Sequence, residues 1–413
     1  MNVIIGAGIS GLSAGQELRS DFLILEKSSA LGGLAGQYRA GGFAFDHGGH
    51  YFHFQDKPEI QRHVEMFHAF RRYRRNSKVF LQGRFIPYSL QYHLAGLPAR
   101  QRNPILAEVL AGPGGPAGGP AQDLERFLLA HFGPSLVRLF FAPYLEKFYG
   151  RPLAAMIAGM DKGSIPVPRK EDVVAGALCR RPCAEGYNPV FYYPSGSLQA
   201  FIDDYGRPLA ARIRCREEVV AIEPARKLVV TNGGSYRYDS LISTMPLNRL
   251  LGIMTPPQPF PRKQFHHLST LVVNAVLARR RRRFHWLYLP ETQFPFYRVG
   301  YYPAAGTVAV YLEKTIAADS PLDARQVRRE AVFTLKRTGM IAGAEEILFH
   351  DLKRIPVSYV VFDRGWPRLV PAALAHLRRQ SIHSIGRYGS WNYTSMADDI
   401  RLARETAGRL NKA

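Results

Sequence analysis

The sequence has few of the features that mark disulfide-rich, zinc-binding, secreted or membrane-spanning proteins. It contains only three cysteines in 413 residues, Cys179, Cys183 and Cys215, and no C-x-x-C pair. Neither a disulfide framework nor a zinc site is therefore predicted. No uninterrupted apolar run reaches the ~18 residues that cross a bilayer, and no basic leader precedes the first apolar segment. We therefore expect a cytoplasmic protein without a signal peptide or a membrane-spanning segment.

Acidic residues are also scarce relative to basic ones. There are 33 Asp and Glu against 55 Lys and Arg, a formal charge of +22, and arginines cluster at residues 71–75 and 279–283. Three interpretations are open: a solvated surface with an arginine bias, a surface for an anionic membrane or a lipid-linked substrate, and a nucleic-acid-binding surface. Because no nucleic-acid-binding motif accompanies the arginines, we expect no nucleic-acid partner. Peripheral contact with the inner face of a membrane stays possible.

A glycine-rich turn follows the first apolar segment. Val3-Ile4-Ile5 leads directly into Gly6-Ala7-Gly8-Ile9-Ser10-Gly11. Gly6 suits the tight turn, Gly8 lets backbone N–H groups approach a pyrophosphate, and Gly11 permits close packing of helix on strand. The phosphates would then bind at the N-terminus of the following helix.

The residues after this turn fit the same interpretation. Residues 12–18 favour a helix, residues 22–25 form a second apolar strand, and Glu26 ends that strand about twenty residues after the first glycine. An acidic residue at this spacing accepts the ribose hydroxyls of an adenosine. Strand, turn, helix, strand and acid together predict a dinucleotide site.

Two further glycine-containing stretches indicate a family. Gly32-Gly33 and Asp46-His47-Gly48-Gly49-His50 resemble the FAD-binding half of the amine oxidase and protoporphyrinogen oxidase superfamily. The second string resembles in particular the UDP-galactopyranose mutase branch of that superfamily. This resemblance implies FAD, rather than NAD, as the cofactor.

The resemblance also implies which residues contact FAD, with Val219 and Val220 over the adenine and the helix after Ser395 facing the pyrimidine end of the flavin. There its N-terminus would favour the anionic, reduced form. The implied cofactor-binding residues are Gly6, Gly8, Gly11, Glu26, Gly32, Gly33, Gly49, Val219, Val220, Gly386, Arg387, Ser395 and Met396.

Three closely spaced histidines, His47, His50 and His53, raise the question of a metal site. No carboxylate or cysteine lies nearby at ligand spacing, and we predict that no metal is bound. For His50 two roles stay open: a position beside the flavin, which the resemblance implies, and a purely structural hydrogen bond.

The remaining pattern predicts an α/β fold in three domains. A Rossmann-like FAD-binding domain would be built from the discontinuous segments 1–75, 190–250 and 370–413. An antiparallel-sheet substrate domain would comprise residues 76–92 and 251–369, and a helical domain would be inserted at residues 93–189. A Gly/Pro-rich stretch at residues 112–120 interrupts the helical pattern and predicts a loop.

The resemblance to the mutase branch implies a reaction. That branch uses the N5 atom of reduced flavin as a nucleophile toward the anomeric carbon of a UDP-sugar, while arginines hold the diphosphate. Arg298 and Arg387 match two of the family arginines, Tyr393 matches a family tyrosine, and Arg169 matches a third arginine with shifted spacing. Guanidinium groups suit this task because they bind phosphate oxygens bidentately. The implied catalytic residues are Arg298, Arg387, Tyr393 and His50.

Three functions therefore compete at this stage. The first is a ring isomerisation of a nucleotide-diphosphate sugar like that of UDP-galactopyranose mutase. The second is an FAD-dependent oxidoreductase of the amine oxidase or protoporphyrinogen oxidase type, and the third is a non-catalytic module that retains FAD. The sequence departs from the mutase pattern at two positions: Ser395 stands where an Asp is expected, and Phe148 or Tyr149 replaces a Trp.

Overall fold

The structure, a computed structural model, describes residues 1–112, 123–158, 165–178, 188–303 and 307–412. Almost all of the Gly/Pro-rich stretch predicted as a loop lies outside the described residues. Cys179 and Cys183 also lie outside them. Cys215 is an exposed free thiol.

The described residues form nineteen strands and twelve α-helices. The strands are β1 (Asn2–Ile5), β2 (Phe22–Glu26), β3 (Gln37–Ala40), β4 (Phe43–Asp46), β5 (Phe70–Arg74), β6 (Ser77–Leu81), β7 (Arg84–Pro87), β8 (Val190–Pro194), β9 (Ile213–Cys215), β10 (Val219–Glu223), β11 (Leu228–Thr231), β12 (Ser235–Arg237), β13 (Leu241–Ser243), β14 (His267–Leu277), β15 (Trp286–Tyr288), β16 (Arg298–Tyr301), β17 (Ala309–Ile316), β18 (Ile347–Val360) and β19 (Ile382–Ser384). The helices are α1 (Ile9–Glu17), α2 (Pro58–Glu65), α3 (Ala99–Ala111), α4 (Leu124–Leu136), α5 (Ala142–Tyr149), α6 (Lys170–Ala177), α7 (Leu198–Gly206), α8 (Leu247–Gly252), α9 (Ala324–Arg337), α10 (Trp366–Arg379), α11 (Gly386–Gly389) and α12 (Met396–Leu410).

The chain divides into two compact units. The first comprises Met1–Tyr73, Val190–His267 and Gly365–Ala413, and the second comprises Arg74–Pro189 and Leu268–Arg364. The helical segment and the antiparallel strands, which were assigned to separate domains from the sequence, fall in the second unit together. The three-domain division itself stays a prediction.

A parallel five-stranded sheet forms the centre of the first unit, with the strand order β19-β13-β1-β2-β9. All four residues of β1 are buried, as expected for a central parallel strand that is covered on both faces. Gly15 of α1 lies so close to the sheet that an added Cβ would be 3.1 Å from Ile24. The predicted strand–turn–helix–strand order at the N-terminus is confirmed.

The second unit is built on a seven-stranded sheet with the order β18-β14-β17-β16-β15-β6-β7. Its β6–β7 hairpin turns at Gln82 and Gly83, which both have positive φ, as an Asn-Gly-like turn requires. The prediction of an antiparallel sheet needs one correction, because β15 pairs with β6 in parallel. The sequence interpretation also missed β18, since its residues do not alternate regularly between apolar and polar.

The helices of the second unit include one apolar stretch, Leu124–Tyr149. It comprises α4, a π-helical turn at Val137–Phe141 and α5, and Gly133 at φ 72° kinks it. By length and composition alone this stretch could cross a membrane, although half of the relevant 18-residue window is buried inside the protein. The core helix of a soluble protein meets the same criterion, so the stretch carries no assignment to a membrane.

Candidate functional site

The glycine-rich turn between β1 and α1 has the geometry that its glycines predict. Gly6 adopts φ 97°, and an added Cβ would lie 2.3 Å from the Thr244 hydroxyl oxygen. A Cβ on Gly11 would lie 1.9 Å from the carbonyl oxygen of Gly6. A side chain at Gly6 would be strained by its positive φ, and a side chain at Gly11 would collide with the backbone. The turn is thus fixed by contacts that only glycine permits.

Gly8 differs from these two glycines because the space around it is more open. It is the N-cap residue of α1, and a Cβ there would meet nothing closer than the Gly32 carbonyl oxygen at 3.7 Å. Gly32 itself donates its N–H to the Ala7 carbonyl at 2.9 Å. The second glycine pair, Gly32 and Gly33, therefore lies against the first turn, as a shared pyrophosphate cradle requires.

Glu26 ends β2 and is held in place by the backbone. One carboxylate oxygen accepts the Ala7 N–H and the other accepts the Ser28 N–H, both at 2.8 Å. Each oxygen keeps a second lone pair. The side chain is buried and can accept ribose hydroxyls without moving. These residues fit an adenine dinucleotide.

The C-terminal segment approaches the same turn through Gly386. This residue has φ 76°, and an added Cβ would lie 2.5 Å from the Ser10 hydroxyl oxygen. Ile385 donates its N–H to the Ser243 carbonyl at 2.9 Å. Residues 385 and 386 thus lie beside the first turn of α1. The hydroxyls of Ser243 and Thr244 were not singled out from the sequence because serine and threonine carry no distinctive spacing there.

Arg387 and Tyr393, both predicted to be catalytic, lie in contact with each other. The guanidinium carbon of Arg387 is 4.3 Å from the centre of the Tyr393 ring, and one of its N–H groups donates to the Thr394 carbonyl at 2.9 Å. Arg387 therefore holds the loop that leads into α12. Its role toward a ligand stays a prediction.

Ser395 caps α12, as its sequence position predicts. Its hydroxyl accepts the Asp398 N–H at 3.2 Å, and the Asp398 carboxylate accepts the Ser395 N–H at 3.0 Å, which completes a capping box. Met396 is the first residue of the helix. Burial raises the pKa of Asp399 in the same turn to about 6, although the Thr394 hydroxyl lowers it. Two acids, Asp398 and Asp399, thus lie at the positive end of α12. The effect of this helix on a flavin stays a prediction.

The segment around His50 shows no metal site. Nδ1 of His50 lies 3.4 Å from the Gly48 carbonyl oxygen, and the His47 ring stacks on Tyr38 at 5.2 Å. Among the described residues there is no group of three potential His, Cys, Asp or Glu ligands. Gly48 has φ 101°, so the backbone at Gly48-Gly49 is irregular. The position of His50 relative to a flavin stays a prediction.

One buried carboxyl group beside this segment was missed from the sequence. Asp46 accepts hydrogen bonds from Gln37 Nε2 at 2.7 Å and from the Tyr193 hydroxyl at 2.9 Å. Burial nevertheless raises the pKa of Asp46 to about 7. A single Asp at the end of a short strand gives no signal from which such burial could be inferred.

The two valines expected over the adenine belong to the start of β10. Val219 is buried, whereas Val220 is 49% exposed at an irregularity in the pairing of β10 with β11. The side chains of the two valines therefore lie in different surroundings, one in the protein interior and one at the surface. Contact of either residue with an adenine stays a prediction.

Arg298, the first predicted catalytic arginine, lies in the second unit at the start of β16. Its Nε atom forms an ion pair with the buried carboxylate of Glu313, and its Nη2 atom lies 3.4 Å from the Tyr359 hydroxyl. Burial opposes the guanidinium charge, but Glu313 and the neighbouring phenols raise the pKa of Arg298 well above its ordinary value. The charge is therefore permanent.

Tyrosine side chains surround this ion pair. Burial raises the pKa of both Tyr144 and Tyr297, whose phenols interact electrostatically with Arg298. The Phe148 ring bridges Tyr297 and Tyr359 at centroid distances of 4.9 and 4.7 Å. The buried Tyr297 hydroxyl makes no hydrogen bond within the described part of the chain. We call the set Tyr144, Tyr297, Arg298, Glu313 and Tyr359 the Arg298 cluster.

The third candidate arginine, Arg169, has a local role in the second unit. It precedes α6, and its Nε atom pairs with the buried Asp172 carboxylate at 3.0 Å. Its side chain is 66% exposed. Arg387 lies in the first unit and Arg298 in the second, and their expected convergence on one diphosphate stays a prediction.

Comparison with known proteins agrees with this organisation. Residues 4–68 match the NAD(P)-binding Rossmann-like domain family. The whole chain is similar to a crystal structure of reduced UDP-galactopyranose mutase, with a TM-score of 0.89, 22% identity, and coverage of 99% of this chain and 95% of that one.

Oxidases show the same fold at lower similarity. A putative protoporphyrinogen oxidase from Exiguobacterium matches with a TM-score of 0.75 and 15% identity, covering 100% of this chain and 98% of that chain. Cyclohexylamine oxidase from Brevibacterium oxydans matches with a TM-score of 0.68 and 14% identity, again covering 100% and 98%. At these identities the likeness shows the fold. The chain therefore has the fold shared by the UDP-galactopyranose mutase, protoporphyrinogen oxidase and amine oxidase structures, as its motifs predicted, and its residues 4–68 match the NAD(P)-binding Rossmann-like domain family.

Proposed function

We propose that this protein is an FAD-dependent enzyme that isomerises the sugar ring of a nucleotide-diphosphate sugar, in the manner of UDP-galactopyranose mutase. The observation that carries the proposal is the Arg298 cluster, where a permanently charged guanidinium lies among phenols. The likeness of the whole chain to a UDP-galactopyranose mutase structure supports the choice of substrate class.

In this proposal the first unit holds FAD. The turn at Gly6, Gly8 and Gly11 and the N-terminus of α1 bind the pyrophosphate, and Glu26 accepts the ribose hydroxyls. A bound flavin supplies an N5 atom that can act as a nucleophile when reduced or accept a hydride when oxidised. The chain's own residues orient the cofactor, because the conformation of Gly6 and the packing of Gly11 against the Gly6 carbonyl hold the turn in place.

The Arg298 cluster of the second unit serves as the diphosphate-binding group. Glu313 engages Nε of Arg298, and the two terminal amino groups of the guanidinium carry the remaining donors of the fork, which suit phosphate oxygens. The hydroxyl of the partly exposed Tyr359, 3.4 Å from Arg298 Nη2, is a further donor. Because Glu313 holds the guanidinium in one orientation, less entropy is lost when a diphosphate binds.

Binding of uridine diphosphate, compared with uridine, tests the role of the cluster. Truncating Arg298 alone would leave the Glu313 carboxylate buried without its partner, so the informative variant is Arg298→Gln combined with Glu313→Gln. We expect it to weaken binding of uridine diphosphate, but not of uridine, by about 30- to 1000-fold, which corresponds to a charged contact of about 2–4 kcal/mol. The matched control is Glu313→Gln, which keeps the guanidinium and should retain tight diphosphate binding.

Turnover then distinguishes the reactions. The chemically reduced protein should interconvert the ring forms of a UDP- or dTDP-sugar without consuming stoichiometric reductant, and the oxidised protein should be inactive. Equal binding of uridine diphosphate by the double variant and the native protein would refute the role of the cluster. Activity of the oxidised protein equal to that of the reduced protein would refute the isomerase proposal.

A second candidate is an oxidoreductase of the amine oxidase or protoporphyrinogen oxidase type. The observation in its favour is the ion pair itself, because Glu313 balances the charge of Arg298 and leaves a neutral, aromatic surrounding. Such a surrounding suits a less charged substrate. Oxygen uptake in step with substrate loss, with one peroxide per product, would establish this alternative.

A further inference from the structure

Helix α9 of the second unit carries an unusually basic outer face. Its buried residues are Val327, Ala331, Thr334 and Leu335, which leaves the opposite side to solvent. At 100° per residue Arg325, Arg329 and Lys336 fall on that opposite side, and the exposed Arg328 and Arg337 flank it. Val332 packs against the core of the second unit, and the Phe333 ring lies 6.0 Å from that of the buried Phe294. We call the five exposed cations Arg325, Arg328, Arg329, Lys336 and Arg337 the α9 basic face.

Within the described residues none of these five cations forms an ion pair. The one acid of the helix, Glu330, is bound to Lys314 at 2.7 Å and to Gln326 at 3.2 Å. Asp323, which precedes the helix, accepts the N–H groups of residues 325 and 326 as the N-cap. The charge of Glu330 is therefore balanced by Lys314, and Asp323 is the one acid close in sequence whose charge remains near the start of the face.

The stability of α9 does not explain these cations. Arg325 lies in the first turn, where the helix dipole disfavours positive charge. Arg325 also lies three and four residues before Arg328 and Arg329, and like charges at these spacings repel each other on a helix. Only Lys336 and Arg337, in the last turn, suit the dipole. The stability of the helix therefore gives no reason for the arginines of its first two turns.

The arginine run at residues 279–283, by contrast, is engaged within the second unit. Arg279 and Arg281 both bind the Glu346 carboxylate. Arg280 lies 4.2 Å from the Tyr301 ring centre, and Arg282 lies 4.9 Å from that of Phe85. The run thus contributes to packing. It also meets the C-terminal end of α9, where a Cβ on Gly339 would lie 2.3 Å from Arg282 Nη2.

We propose that the α9 basic face docks on an anionic phospholipid bilayer. Its charge is complementary to acidic headgroups. At one edge of this face Phe333 is 39% exposed and offers an apolar contact, while the other part of its ring packs against Phe294 at 6.0 Å. Clusters of several Lys and Arg residues on one surface bind the acidic headgroups of anionic lipids electrostatically. A second copy of the chain would place like charges against each other on this face, which argues against a dimer there.

Co-sedimentation of the full-length protein with vesicles tests this inference. The vesicles contain phosphatidylcholine with about one-third phosphatidylserine, and vesicles of phosphatidylcholine alone are the control. Each cation near an anionic surface strengthens binding about fivefold, so Arg325→Gln, Arg328→Gln and Arg329→Gln together should weaken binding about 100-fold. Binding should also fall between ~0.1 M and ~0.5 M salt.

The matched control removes the same charge from exposed arginines of the first unit, with Arg71→Gln, Arg72→Gln and Arg262→Gln. If this variant loses as much binding as the α9 variant, net charge rather than the α9 face is responsible and the proposal fails. A Phe333→Ser variant should weaken the binding that persists at ~0.5 M salt, whereas Leu348→Ser, at a residue 63% exposed, should not. Circular dichroism melts establish that each variant is folded.

Binding to a nucleic acid, which is also an anionic partner, provides the remaining test. Fluorescence anisotropy with a labelled DNA duplex should show weak binding. The α9 variant and the matched control variant, which each lack three arginines, should reduce this binding equally. Selective loss of duplex binding in the α9 variant, together with no binding of the native protein to anionic vesicles, would overturn the proposal in favour of a nucleic-acid surface.

Discussion

Replacing Asp46 by Asn should make the protein more stable than the native protein as the pH rises. For an acid whose pKa is lowered by folding, the same replacement would remove stability as the pH rises. Asp46 is 2% exposed and accepts hydrogen bonds from Gln37 and Tyr193. Burial raises its pKa from 3.8 to about 7, and the two hydrogen bonds lower it only in part. An Asn side chain can accept from Gln37 and donate to the Tyr193 oxygen, so it mimics the protonated acid.

The sign and the size follow from linkage. Because the folded protein binds the Asp46 proton more tightly than the unfolded chain, the stability that this carboxyl group contributes is fully present below pH ~4 and is lost as pH rises to about 7. The difference between the two pKa values corresponds to about 4 kcal/mol. We therefore expect Asp46→Asn to gain about this much stability relative to the native protein between pH ~4 and pH ~7.

Urea denaturation, followed by tryptophan fluorescence at a series of pH values, measures this difference. The matched control is Asp56→Asn, because hydrogen bonding to Lys57 lowers the pKa of that carboxyl group and its side chain is mostly exposed. The control should show only a small change, of opposite sign. A stability difference between Asp46→Asn and the native protein that stays constant from pH ~4 to pH ~8 would refute the reasoning.

Three further predictions concern the first unit. Gly11→Ala should yield protein without bound flavin absorbance, because its Cβ would lie 1.9 Å from the Gly6 carbonyl oxygen; a yellow, fully loaded variant would contradict the assigned turn. Glu26→Ala should raise the dissociation constant of FAD about 10- to 150-fold, the value of a charge-assisted hydrogen bond; titration of the cofactor-free protein measures it, and unchanged affinity would remove Glu26 from the ribose site. Ser395→Ala should lower the free energy of unfolding by about 1 kcal/mol through loss of the capping box with Asp398; an unchanged urea midpoint would show that the cap is dispensable.

Local chemistry decided what the sequence could predict. The β1–α1 turn was predictable because glycine alone adopts the positive φ of Gly6 and alone tolerates the contact at Gly11. The cap at Ser395 was predictable because hydrogen bonds between a side chain and the backbone three residues away depend on no distant part of the chain. The family resemblance, which rests on such local motifs, predicted the overall fold for the same reason.

Tertiary structure alone decided the electrostatic state of the candidate residues. The sequence showed Arg298 as a matching arginine, but the pairing of β16 with β17 places Glu313 opposite it. The pKa values of the Asp46 and Asp399 carboxyl groups are both raised, and burial in the folded protein is the largest cause for both. A pKa depends on the solvent and charges around a group, and neither is encoded in the residues next to it.

The same contrast holds for the excess of arginine. The run at residues 279–283 is conspicuous in the sequence because its arginines are contiguous. In the folded protein these arginines pair with Glu346 and lie over aromatic rings. The arginines of α9 are spaced three and four residues apart and attract less notice in the sequence. Folding of α9 gathers them on one face and buries the other, because a helix turns through 100° per residue and an apolar face is removed from water. The composition fixed how much positive charge the protein has, and the packing of its elements decided which of that charge remains available.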